Sequence, residues 1–158
     1  IVLLVAGAAE ILGAAAGGRD VTQPLAGIVA GGGTPASNAL AFRTIKSVDD
    51  LDRVLADAKA AKQPVMLDFY ADWCVSCKEM EKFTFSQPDV QKSLAGFVLL
   101  KADVTANDDA DQALLKRFGL FGPPATIFFS DGAERRALRL IGFEKFEDFI
   151  ARAGKARG

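Results

Sequence analysis

The stretch Leu67-Asp68-Phe69-Tyr70-Ala71-Asp72-Trp73-Cys74-Val75-Ser76-Cys77-Lys78-Glu79-Met80-Glu81 carries the strongest structural signal in the chain. An apolar run ends at Tyr70, and the only two cysteines follow within a few positions, two residues apart. At the start of a helix this spacing lets both sulfurs meet in one turn, the first facing the positive helix end. That is the arrangement of a redox-active dithiol. One thiol can attack a disulfide while the other resolves the product.

Other uses of the pair are poorly served. A closed zinc site wants four ligands, usually Cys or His, and the 158 residues offer two cysteines and no histidine. A purely structural disulfide closing so short a loop removes little unfolded-state entropy. The lack of histidine also removes the commonest general base, which disfavours Ser-His and Cys-His hydrolases. With 19 basic against 20 acidic residues, a formal net charge of -1 and no basic run, a nucleic-acid partner is not expected. There is no Gly-rich phosphate loop or dinucleotide fingerprint, so neither a nucleotide cofactor nor a metal is expected. The chemistry belongs to sulfur.

Three regions differ in composition. Residues 1–16 are apolar apart from Glu10 and would span about 24 Å as a helix, against roughly 30 Å of bilayer core. With Ile1 rather than Met at the start, they are expected to be the end of a transmembrane helix in a longer protein; a signal-peptide remnant and an apolar helix packed on the domain are the alternatives. Residues 17–41, rich in Gly, Ala, Pro, Ser and Thr, are expected to form a flexible linker. Residues 42–158 are charged and periodic, and are expected to form one compact domain.

Within that domain the pattern alternates. Phe42 to Lys46 predicts a short strand, and Ser47 with Asp50 a capping box opening a helix with Val48, Leu51, Leu55 and Ala58 on one face. Pro64 to Tyr70 predicts a central strand covered on both sides. A helix starts near Cys74 and is interrupted at Pro88. Phe97 to Val104 predicts a strand, Asp108 to Phe118 a helix stopped by Gly119, and Ala125 to Phe129 a strand. The Asp131-Gly132 turn leads to a further strand at Ala137 to Ile141, and a last helix carries Phe146, Phe149 and Ile150. The order β-α-β-α-β-α-β-β-α predicts an α/β fold, a mixed central sheet flanked by helices in the thioredoxin-like pattern.

Residues 67–81, together with Phe83-Thr84-Phe85-Ser86 and Val104-Thr105-Ala106-Asn107-Asp108, resemble the C-terminal periplasmic domain of the bacterial transmembrane thiol:disulfide interchange protein DsbD. The resemblance covers most of residues 42–152. It implies a domain that accepts electrons from the cysteines of a membrane-embedded domain. Through transient mixed disulfides it passes them to the N-terminal periplasmic domain of the same protein, a route linked to cytochrome c biogenesis. Cys74 would attack and Cys77 resolve, with no cofactor beyond their own redox-active disulfide. The implied location is the bacterial inner membrane, with this domain tethered, facing the periplasm and monomeric in isolation.

Two carboxylates stand near the pair. Asp68 lies in an otherwise apolar strand six residues before Cys74, where an ionised carboxylate is expensive without a partner, and is expected beneath the dithiol. Glu81, four residues after Cys77, would share its helix face. Both positions match acidic residues next to the active site in the resembled family; a solvated strand end and a surface position are the plain alternatives. Negative charge here would raise the pKa of Cys74 against the helix end, which suits an electron donor.

Gly122-Pro123-Pro124-Ala125-Thr126 enters the strand expected beside the dithiol, where thioredoxin-like proteins place a cis-proline. The resemblance assigns the cis bond to Pro124, while Pro123 and Ala125 depart from the family's usual bulky apolar residue and threonine. Trp73, Pro123 and Pro124 are the residues expected to meet a bound partner; Lys78 is expected to be a solvated helix residue. Three functions stay open: the relay domain, another tethered thioredoxin-like protein such as a cytochrome-maturation reductase or disulfide oxidase, and a non-catalytic binding module of the same fold.

Overall fold

The computed structural model describes residues 40–158. The expected apolar segment at 1–16 and nearly all of the expected linker at 17–41 lie outside the described residues. Leu40 and Phe42, at the start of the described part, pack against the core.

The elements are β1 (Arg43–Ile45), α1 (Val48–Ala60), β2 (Val65–Tyr70), α2 (Val75–Glu79) and α3 (Pro88–Ser93), with a π-helical turn at Met80–Phe85 joining the last two. They are followed by β3 (Val98–Asp103), α4 (Asp109–Arg117), β4 (Ala125–Ser130), β5 (Ala133–Glu134), β6 (Leu140–Ile141) and α5 (Phe146–Arg157). The sheet order is β1-β3-β2-β4-β5, with β6 also on β4. β1, β3 and β2 run parallel, whereas β4 is antiparallel to β2 and to both short edge strands. This is a mixed thioredoxin-like α/β sheet, as expected.

Each boundary has a local cause. Ser47 Oγ accepts from the Asp50 N–H while the Asp50 carboxylate accepts from the Ser47 N–H, closing the capping box of α1. Asp108 and Asp111 close a second one at α4. Pro88 opens α3 at its first turn, where its missing N–H costs nothing. Asp131 and Gly132, with φ of 53° and 76°, make the tight turn into β5. The strand expected at Ala137 to Ile141 is corrected: a 3-10 turn at Arg136–Leu138 splits the edge into β5 and β6.

Alternation along the central strands divides the core in two. Leu67 and Phe69 on β2, Leu100 on β3 and Ile127 and Phe129 on β4 pack with Leu51, Val54, Leu55 and Leu114 from α1 and α4. On the other face Met66 and Phe128 meet Met80, Phe85, Val90, Phe149 and Ala153. Phe149 touches Phe85 and Phe128 ring to ring, with centroids 5.5 and 6.0 Å apart. Asp68 sits in the β2 run between two completely buried residues, Leu67 and Phe69.

Candidate active site

The dithiol stands where β2 turns into α2. The chain leaves the sheet at Tyr70, whose carbonyl accepts from the Val104 N–H at 2.8 Å, and the Cys74 N–H closes the turn on the Ala71 carbonyl at 3.0 Å. Thr105 anchors the outside of this turn. Its hydroxyl accepts from the Asp72 N–H at 2.9 Å and its carbonyl from Trp73 Nε1 at 3.3 Å, while Asp103 holds Thr105 itself. Trp73, the residue before Cys74, stays 59% exposed and is not a core residue.

Cys74 and Cys77 are joined as a disulfide, with Cα atoms 5.3 Å apart. Cys74 is the N-cap of α2, and the Cys77 N–H points at Cys74 Sγ at 3.2 Å. A donor so placed stabilises negative charge on that sulfur. Cys77 Sγ lies 3.9 Å from the Phe69 carbonyl oxygen, deeper against the sheet. Phe69 pairs with Ala125 on β4, so the residues next to Cys77 and those after the Pro123-Pro124 bond meet at one point of the sheet. That bond is cis, and the Pro124 carbonyl accepts from the Gly142 N–H at 3.0 Å.

Asp68 is 4% exposed. Its one hydrogen-bond donor among the described residues is the Thr126 hydroxyl, at 3.3 Å from Oδ1. Burial pushes its carboxyl up to about 7; the Lys101 charge and the Thr126 hydroxyl pull it down, and the Glu81 charge adds to the rise. Lys101 is the register partner of Asp68 on β3. Its ammonium donates to Glu81 Oε1 at 2.6 Å and lies over the rings of Phe42 and Tyr70, 5.0 and 4.7 Å from their centroids. Glu81 belongs to the π-helical turn, not to a regular continuation of α2.

The structure therefore brings Cys74, Cys77, Trp73 and the proline loop to one end of β2, and links Asp68 and Glu81 through Lys101. Sequence reasoning missed Lys101, although a lone lysine inside the apolar run from Phe97 to Val104 carries the same signal that marked Asp68. It also missed Thr105 and Thr126, short polar residues whose roles depend on cross-strand register. Among the described residues no group of three or more His, Cys, Asp and Glu could hold a metal ion, and no helix is long and apolar enough to cross a membrane.

A thioredoxin-like family model matches residues 45–130. The chain is 52% identical over 160 residues to the thiol:disulfide interchange protein DsbD of Ralstonia nicotianae, a match covering all of this chain and 26% of that protein. It spans about a quarter of the length of the curated relatives it matches. Among solved structures, the oxidised C-terminal domain of DsbD from Neisseria meningitidis is 40% identical with a TM-score of 0.57, covering 68% of this chain and 90% of that one. The reduced form of that domain is 39% identical with a TM-score of 0.60, covering 72% and 99% respectively.

Proposed function

Since the chain belongs to the thioredoxin-like family, among the DsbD C-terminal domains, we propose that Cys74 and Cys77 form the working couple of a protein-disulfide reductase. The domain carries out thiol:disulfide exchange, and its redox-active disulfide needs no external cofactor. The observation that carries this reading is the Cys74–Cys77 disulfide at the turn from β2 into α2, with Cys74 as the helix N-cap.

In the reduced domain the Cys74 thiolate attacks one sulfur of a partner disulfide, and the partner's second sulfur leaves as a thiolate that takes up a proton. Cys77, deprotonated, then attacks the Cys74 sulfur, forming the Cys74–Cys77 disulfide and releasing the partner as a dithiol. Two electrons have moved to the partner. Asp68, poised near neutrality, is suited to take the Cys77 proton, and Glu81 with Lys101 sets the charge around it. Trp73, Pro123 and Pro124 form the surface that receives the partner backbone.

In the whole protein, residues 1–16 act as the end of a membrane anchor and 17–41 as the tether of a domain starting at residue 42. Electrons come from a membrane-embedded cysteine domain and go to an N-terminal periplasmic domain, on the periplasmic side of a bacterial inner membrane. The relatives named as DsbD support this part of the reading.

The test is the reduction potential of the Cys74–Cys77 couple, measured by equilibration in thiol buffers and trapping of free thiols. A value between roughly -270 and -220 mV supports electron donation; one near about -120 mV marks an oxidant and overturns it.

A further inference from the structure

The second set of features the fold creates lies around Gly119, past the end of α4. A cavity of about 410 Å³ is lined by Arg117, Phe118, Gly119, Arg136 and Arg139. A second, of about 530 Å³, shares Gly119, and Leu115, Leu120 and Phe121 line it together with the polar Asp109, Gln112 and Lys116. Phe121 is fully exposed, and three residues further on the chain reaches Pro124. The two cavities adjoin at Gly119, one lined by arginines and the other by a mixed apolar and polar surface that includes Phe121, on the loop that leads to Pro124.

The cationic end is pre-arranged. Arg139 is fixed by two bonds to Glu134 Oε1, at 2.9 and 2.6 Å, and by a third to the Phe118 carbonyl at 2.7 Å. Arg117 is fixed by a two-bond contact with Asp52 at 3.0 and 2.6 Å. Both guanidinium groups stand 6.0 Å from the Phe118 ring, which spaces them apart. Arg136 is held only loosely, with Nε 3.8 Å from Glu134 and the side chain 87% exposed. A guanidinium has five N–H donors, so each of the three arginines keeps donors without an acceptor among the described residues. Three cations face two carboxylates on a chain whose formal net charge is -1.

The geometry points to a docking trough for an extended, acidic segment of the protein disulfide that the domain reduces, with carboxylates at Arg136 and Arg139 and an apolar side chain against Leu120 and Phe121. This rests on the exchange function proposed above and adds the chemistry of the partner. A small anion uses only the arginine end and leaves the exposed Phe121 unexplained; an extended segment uses both ends, and Phe121 stands three residues before Pro124 in the chain. Bidentate contacts from arginine suit carboxylates, and an exposed aromatic is the common anchor of such a contact.

The test is a titration of the oxidised full chain, followed by 1H-15N correlation spectra. The probe is a capped peptide with two adjacent aspartates, one glycine and two leucines; its control has asparagines for the aspartates. Binding of the acidic peptide should shift the Arg136 and Arg139 Nε–H signals and the Gly119 and Phe121 amides together. The control peptide and Arg136→Glu should each weaken binding about tenfold, on the order of 1.4 kcal/mol. Equal binding of both peptides, unchanged binding by Arg136→Glu, or inorganic phosphate binding as tightly as the peptide overturns the trough. Reaction with the uncharged 2,2'-dithiodipyridine after reduction tests the other reading separately. Wild-type rates in Arg136→Glu support an exosite, whereas peptide binding by a protein that exchanges with no disulfide overturns the partner's identity as a redox substrate.

Discussion

Asp68 on β2 and Lys101 on β3 face each other in register, yet the ammonium of Lys101 is bonded to Glu81, 2.6 Å away. The buried carboxyl is left with a neutral hydroxyl donor, Thr126, and the cation stands near it without contacting it through a hydrogen bond. Desolvation wins over the attraction of Lys101, and the group titrates near 7 where an exposed aspartate titrates near 4. The strand that leads to Cys74 and Cys77 therefore carries a buried carboxyl able to hold or release a proton near neutral pH.

This shift has a consequence for stability. With its pKa raised in the folded state, Asp68 binds more protons there than in the unfolded chain between about pH 4 and 7, so stability falls as pH rises through that window. A carboxyl pushed up to about 7 in the folded state corresponds to a loss on the order of 4 kcal/mol. Asp68→Asn keeps an acceptor for Thr126 without the charge, and should be more stable than the wild type by about 2–4 kcal/mol at pH 8 and little different at pH 4. Guanidinium unfolding of the oxidised proteins across pH 4–8 gives the comparison. Parallel curves for the two proteins would show that Asp68 does not titrate as stated.

The roles proposed for the two carboxylates extend to sulfur. The Cys77 N–H and the helix start favour a Cys74 thiolate, and in the proposed mechanism ionised Asp68 and Glu81 oppose it. Asp68→Asn and Glu81→Gln should each lower the apparent pKa of Cys74, read from the pH profile of iodoacetamide alkylation of the reduced domain. The larger drop is expected for Asp68→Asn, because Glu81 is partly solvated and held by Lys101. Profiles unchanged in both variants would exclude the carboxylates from tuning the thiol.

Lys101 is the next residue to test. It is about one-fifth exposed and lies over Phe42 and Tyr70, so Lys101→Met keeps the stem packed against those rings while removing the charge. Without the cation, Asp68 should titrate higher still, and Glu81 should become mobile. The carboxyl 13C shift of Asp68 followed with pH reads this directly. A midpoint that stays in place or falls would mean that Lys101 does not act on Asp68.

The legible parts of this molecule were those with a short-range physical signature. The run from Pro64 to Tyr70 announced a central strand because both faces are covered, and the observed β2 spans Val65–Tyr70. Pro88 and the Ser47/Asp50 box marked helix ends because the orphan N–H groups there have local solutions. The π-helical turn at Met80–Phe85 was not legible: one extra residue in a helical turn leaves the apolar spacing almost unchanged, yet it resets where Glu81 points. The split of the edge into β5 and β6 was hidden for a similar reason, since the 3-10 turn at Arg136–Leu138 has no Gly or Pro to mark it. The Asp68–Lys101–Glu81 link depends on strand register, which a single sequence does not carry.

The core beneath the π-helical turn should matter to the site it carries. Phe85 ends that turn, and its ring packs between Phe42 and Phe149, with Phe128 beyond. Phe149 has no solvent exposure. Phe149→Ala removes the ring against which Phe85 and Phe128 both lean, and should cost about 3–5 kcal/mol, with Phe149→Leu nearer 1–2 kcal/mol because most of the volume is kept. Guanidinium unfolding at pH 5, where the Asp68 carboxyl is largely protonated, separates this packing loss from the proton effect. In Phe149→Leu the loosened turn should also weaken the grip of Lys101 on Glu81, moving the Asp68 midpoint while the Cys74–Cys77 pair still exchanges. A variant that loses less than about 1 kcal/mol as alanine would mean that the ring cluster does not support the turn.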